Sequence, residues 1–182
     1  GLAWARSHQH HLASVRTAAV YGGLLFELRR FEEAEEHLQW AYETSLTNDS
    51  VLNVVKTAPA LAQLYVAQKK FSAASALLDR HESLANQLSP FGAVAAELWL
   101  ASALYHAAIG DGANAEKRFR QALNLNVRFS LPWDEAEVAY KWGLSLSQPS
   151  VERDGLLRRA ANRWQAIGAH TYVSLCRQEL SR

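Results

Sequence analysis

The sequence predicts an all-α fold, a solenoid of four helical hairpins with a period of about 40 residues, closed by a C-terminal helix. Three observations carry that expectation. Small residues sit midway along four apolar segments, at Gly22, Ala62, Ala103 and Gly143, with offsets of 40, 41 and 40. Further columns repeat behind the first three, namely Ala34, Ala74 and Ala115, then Leu38, Leu78 and Phe119, then Ala41, His81 and Ala122. Self-similarity at such a period is the signature of a repeat architecture. Within a unit the spacing is helical: Phe31, Ala34, Leu38, Ala41 and Tyr42 share one face. No useful length reads as the alternation of a strand.

The columns have a simple physical meaning. Two helices approach closely only where small side chains meet, and a leucine or aromatic one turn later fills the seam. In the fourth unit Leu157, Ala160 and Trp164 continue the pattern after a turn two residues shorter, which puts Arg153 in the small-residue column. That pair is expected to pack more loosely there or in a shifted register.

Taken in order, helices are predicted at about 8–29, 31–47, 51–68, 71–87, 91–109, 112–126, 132–148, 151–167 and 170–181. They group into units 8–47, 51–87, 91–126 and 132–167 with terminal helix 170–181, all in one repeat domain spanning 1–182. The breaks fall at Asn48-Asp49-Ser50, Ser89-Pro90, Gly110-Asp111-Gly112 and Ser147-Gln148-Pro149-Ser150. Ser89 before Pro90 suits an N-cap with proline at the first helical position. Pro132 followed by Asp134 and Glu135 suits a helix start, where acidic side chains meet the positive end of the dipole. Gly168 suits a helix end. Pro59 falls inside the third helix and is expected to kink or break it.

Composition narrows the function classes. About half of the 182 residues are apolar and a fifth are charged, a globular balance. Up to Phe91 there are 8 basic and 9 acidic residues, and after it 11 and 9, giving a net charge of +1. Neither half has the basic excess that phosphate-backbone binding needs, so no direct nucleic-acid partner is expected. Cys176 is alone, which excludes a disulfide framework and suggests a reducing, cytoplasmic setting. No signal peptide opens the chain and no apolar run approaches a membrane span, so no membrane partner is expected. Methionine is absent, including at position 1, so the chain is expected to be a segment of a larger protein.

The small-residue columns, the aromatics Phe31 and Phe71, and the helix-turn-helix unit resemble tetratricopeptide repeats, although the usual unit is 34 residues. That resemblance implies right-handed stacking, with the first helix of each pair lining a concave groove. Residues 156–180, "LLRRAANRWQAIGAHTYVSLCRQEL", resemble the end of the sensor arrays in large ATP-binding LuxR-type bacterial regulators, the class of the maltose-operon activator. It implies an interaction or sensor segment of a signalling or transcriptional regulator, holding a protein or peptide partner or a small-molecule inducer. A scaffold that binds a partner protein without sensing is the alternative.

The exposed first-helix column would comprise Arg16, Lys56, Glu97 and Glu137, at offsets of 40, 41 and 40. About two turns further on lie Gln63 and Leu104, and one turn on lies Lys141, with Tyr140 beside it. Trp133, at a helix start, is expected to be accessible. Ordinary solvated faces would carry the same residue types, so the column alone does not choose between them. Trp99, Trp142 and Trp164 lie on apolar faces and are expected in the core, and Trp40 against the next unit.

No cofactor or metal is expected. His8, His10 and His11 lack an acidic third ligand, and His81 and His106 read as satisfied core histidines. Asp79-Arg80-His81 has the residue types for acid-base work, but neighbours on a helix diverge and no nucleophile accompanies them. No catalytic residues are predicted. The N-terminal end, with Leu2, Ala3 and Trp4, lacks a polar cap, which predicts a neighbouring segment or self-association there.

Overall fold

In a computed structural model, which describes residues 11–48, 50–88, 94–146 and 148–182, the described chain is all-helical, with no strand among those residues. The helices are α1 (His11–Glu27), α2 (Phe31–Thr47), α3 (Val51–Ala67), α4 (Phe71–Leu88), α5 (Val94–Ala108), α6 (Gly112–Arg128), α7 (Pro132–Ser145), α8 (Val151–Ala166) and α9 (His170–Leu180). The expected Ser89-Pro90 cap, His8, His10 and the end at Leu2, Ala3 and Trp4 lie outside the described residues. Among the described residues no helix is long and apolar enough to cross a membrane.

The chain divides into two compact units, Gly1–Ser83 and Leu84–Arg182. In the first, α1 packs on α2 and α2 on α3, and α1 also touches α3. In the second, α5 packs on α6, α6 on α7, α7 on α8 and α8 on α9, and α5 also touches α7. Each unit therefore joins sequence neighbours and, in addition, alternate helices.

The repeat columns form the seams. A Cβ on Gly22 would lie 2.7 Å from Leu38 Cγ and 3.3 Å from the Ala34 carbonyl oxygen, so only glycine lets α1 and α2 come this close. Gly143 makes the same approach to α8, where a Cβ would lie 3.1 Å from Leu157. Ala34, Leu38, Ala41, Ala62, Ala74, Ala103, Ala115, Phe119 and Ala122 are all buried. In the second unit Phe119 lies stacked on Trp142, the rings 5.5 Å apart and 4° from parallel. A fully buried side chain of this kind contributes about 2–3 kcal/mol. The small-residue position that falls to Arg153 is met by its backbone: the Arg153 carbonyl oxygen faces Gly143. Its guanidinium turns away and donates to the Glu179 carbonyl oxygen at 2.9 Å, tying α8 to the end of α9.

Helix ends follow one device. After α1, the amide of Arg30 donates to the Leu25 carbonyl and that of Arg29 to Phe26, with Arg29 left-handed at φ 58°. The same paired bonds recur around Lys69, Gly110, Ser130 and Gly168, each with positive φ. These are Schellman closures, which satisfy carbonyls that a helix end otherwise leaves unpaired. At helix starts, Asp111 accepts from the Asn114 amide and Ser150 from the Arg153 amide. Pro132 opens α7 and Gly168 follows α8, as the sequence predicts.

Two expectations are corrected. The helix predicted at 51–68 runs unbroken through Pro59, with that proline buried in its interior. In the turn before it the Thr57 hydroxyl donates to the Asn53 carbonyl at 2.9 Å. The helix predicted at 132–148 stops at Ser145, and Leu146 is extended. Pro149 disfavours helical backbone at Gln148, the last residue of the predicted span.

Candidate functional site

The nine residues singled out by the sequence divide between the two units. Arg16 on α1 and Lys56 on α3 are exposed, and Gln63 on α3 is half-buried. They stand on two helices that touch. In the second unit Glu97 lies in the first turn of α5 and is half-buried, as is Leu104 two turns later. On α7, Glu137 and Lys141 form an ion pair one turn apart, at 2.5 Å. Both side chains remain partly accessible, so their local charges largely cancel while their donors and acceptors stay within reach of solvent.

Trp133 and Tyr140, seven residues apart on α7, turn toward α8 and α9. Tyr140 packs 5.4 Å from the buried Trp164, and Trp133 packs 6.2 Å from Trp164 and 4.9 Å from Tyr172. Trp164 and Tyr172 close the group at 5.0 Å. These separations are ring-to-ring contact, so the four aromatics fill the space between the three helices themselves. Trp133 is 41% exposed, which fits the expectation of accessibility. The aromatic group is packing first; its outer edge at Trp133 and Tyr172 is what solvent meets. Burial raises the Tyr140 hydroxyl above its ordinary range, with Glu179 next in effect, so it stays protonated.

Beside this group lies a charged cluster that the sequence reading did not single out. Glu135, 4% exposed, accepts from Arg159 Nε at 2.9 Å and pairs with Arg159 Nη2 at 2.8 Å and Arg163 Nε at 3.0 Å. Its place in the first turn of α7 adds the favourable end of the helix dipole. The sequence read Glu135 only as a helix-start acid, because its partners lie 24 and 28 residues away on another helix. Arg159 and Arg163, one turn apart, were the available signal.

Groups with chemical potential elsewhere are engaged in packing. The Tyr42 hydroxyl and His81 Nε2 are hydrogen-bonded at 2.8 Å in the core, with the rings edge to face. Burial, and then the Arg80 charge, hold His81 below the ordinary histidine range. Thus the one histidine in the alanine column makes a polar contact from α4 to α2 of the preceding pair. His106 Nδ1 lies 3.3 Å from an Asp111 carboxylate oxygen. Asp79 accepts from Ser75 on its own helix face, away from the Tyr42–His81 contact that Arg80 reaches at 3.4 Å. Burial pushes the Cys176 thiol up to about 11, so it is protonated and a poor nucleophile at neutral pH. Among the described residues no group of three His, Cys, Asp or Glu side chains is placed to hold a metal ion.

Trp99, Trp142 and Trp164 are buried as expected. Trp40 packs on Val15, Ala18 and Ala41 of its own helix pair. Its position off the Leu38 stripe brings it over the neighbouring turn of α1. No protein-family model matches the chain, and no curated protein matches it in sequence.

Proposed function

We propose that the chain is a cytoplasmic interaction or sensor segment of a bacterial signalling or transcriptional regulator, built from tetratricopeptide-like helix pairs with right-handed stacking inside each unit. The observation that supports this most is the double packing pattern. The first helix of one pair touches both its own partner and the first helix of the next pair, α1 on α3 and α5 on α7. Such stacking sets the solvent faces of first helices side by side, which is how a helical repeat makes a recognition surface. The regulator context rests on the similarity of residues 156–180 to the ends of sensor arrays.

The recognition surface in this reading is carried by Arg16, Lys56 and Gln63 in the first unit and by Glu97, Leu104, Glu137 and Lys141 in the second. Trp133 and Tyr140 support it from behind by fixing α7 on α8 and α9. A ligand acts by differential binding: it favours one packing state of the helix pairs and so biases an attached domain. The scaffold reading draws support from Leu104 and from Leu144, which is 44% exposed. Aliphatic side chains at one repeat position of two touching helices suit the apolar face of a partner helix.

Calorimetric titration of the chain with metabolite mixtures and amphipathic helical peptides tests the proposal. The expected result is binding that weakens at least tenfold in both Lys56→Glu and Glu137→Lys variants, each folded by circular dichroism. Binding indifferent to both charge reversals contradicts it. Saturation by a peptide and by no small molecule selects the scaffold form.

A further inference from the structure

The fourth helix pair places charge at two repeat positions that are uncharged in the other three. Glu135 stands eight residues before Gly143, in the register that holds Ser14, Val54 and Ala95 before Gly22, Ala62 and Ala103. All four of these residues are buried. Arg163 stands six residues after Leu157, where the earlier pairs have Thr44, Leu84 and Leu125. Replacing a buried ionic cluster by apolar side chains is often neutral or stabilising. Packing alone therefore gives this pair no reason to depart from the others. Departures of this kind are expected at functional or strained sites, and the hydrogen bonds here have ordinary lengths.

The cluster leaves donors unused. Arg159 Nε and Nη2 and Arg163 Nε all reach one atom, Glu135 Oε1, at 2.9, 2.8 and 3.0 Å. Asp154 and Glu179 are also shared by two arginines, but there each arginine takes its own oxygen. The single shared oxygen sets the guanidinium groups of Arg159 and Arg163 side by side. Nη1 of Arg159 and both Nη atoms of Arg163 have no partner among the described residues, and both side chains are nearly half exposed. We infer that Arg159 and Arg163 bind the carboxylate of a small organic acid, with Glu135 holding the two guanidinium groups in place. The outer edge of Arg163, Nη1 with Nη2, is the planar fork that takes both oxygens of a carboxylate. Nη1 of Arg159 supplies a further donor beside it. Two arginines against one glutamate leave one positive charge, which a carboxylate neutralises and a phosphate dianion exceeds. Like charge at Asp134, next to Glu135, and at Asp154, on the arginines' own helix, disfavours an extended acidic protein segment. Both arginines stand on the second helix of their pair, so this site is independent of the first-helix column.

Titration of the full chain with sodium acetate at constant ionic strength, followed by the nuclear magnetic resonance signals of the arginine Nε–H groups, tests this. The expected result is saturable shifts at Arg159 and Arg163 with a dissociation constant of about 1–10 mM, about tenfold or more tighter than at the exposed Arg177. Arg163→Gln is expected to weaken binding at Arg159 about tenfold or more, with helical circular dichroism unchanged because Glu135 keeps Arg159 as its partner. Arg158→Gln, which removes a 68% exposed guanidinium from the same helix, is the control and is expected to bind acetate as the wild type does. Shifts that rise without saturating overturn the inference, as does binding that is unchanged in Arg163→Gln or lost equally in Arg158→Gln. Inorganic phosphate or a polyglutamate peptide that binds about tenfold tighter than acetate overturns it as well, in favour of a dianion or an acidic protein segment.

Discussion

At the scale of single residues, adjacent glycines separate packing from propensity. Gly22 sits against Leu38 and Ala34, whereas a Cβ on Gly23 would meet nothing within 4 Å. An alanine in a helix is favoured over glycine by about 1 kcal/mol, so Gly23→Ala is expected to raise stability by up to that amount. Gly22→Ala gains the same propensity but forces the seam open, which costs about 1–3 kcal/mol. Its net effect is expected to be destabilising, and urea unfolding of the pair reads the difference. The Tyr42–His81 contact gives a second expectation. Tyr42→Phe leaves a buried ring nitrogen unpaired and is expected to cost about 1–3 kcal/mol in the same assay. Because the folded-state pKa of His81 is lowered, its neutral form contributes stability that is complete above the ordinary histidine value near 6.5. That contribution is lost as pH falls from there through the lowered folded value, since the unfolded chain takes up the proton first. Unfolding midpoints measured between pH 7.5 and 5 should fall less steeply in His81→Gln than in the wild type. An equal slope in both would contradict the assignment.

At the scale of elements, most helices were legible because burial imposes a period on the chain. Residues 31–47 and 71–87 announce themselves through Phe31, Ala34 and Leu38 and their counterparts forty positions later, and α2 and α4 begin where those columns place them. The turns were only partly legible. Gly110 and Gly168 advertise left-handed backbone, whereas Arg29, Lys69 and Ser130 adopt the same conformation without the residue that favours it. The two backbone hydrogen bonds of each closure outweigh the residue's own preference there. Lys69→Gly is therefore expected to stabilise the first unit by about 0.5–1 kcal/mol, read as a higher thermal midpoint. Gly110→Ala should lower stability by a similar or larger amount. Pro59 breaks no helix, for a related reason. A proline removes one hydrogen bond from a helix, but burial of Pro59 with its neighbours Ala58, Leu61 and Ala62 outweighs that loss.

At the scale of the whole molecule, the sequence shows its columns and hides its cross-chain pairs. The candidate column of Arg16, Lys56, Glu97 and Glu137 could be read because it obeys the repeat. Glu135 with Arg159 and Arg163 obeys none, and only the fold brings a buried carboxylate under two guanidinium groups. Glu135→Ala uncovers both arginines and is expected to cost about 2–4 kcal/mol, reduced from the fully buried case because the arginines are half in solvent. The central claim is that one seam, a small residue against a leucine sixteen or fourteen residues later, builds both units. Double-mutant cycles in urea on Gly22→Ala with Leu38→Ala, and on Gly143→Ala with Leu157→Ala, test it most directly. If the residues share a seam, shortening the leucine relieves the added methyl group, and each cycle shows a coupling of about 1–2 kcal/mol. Additivity within about 0.5 kcal/mol in either cycle would contradict the account.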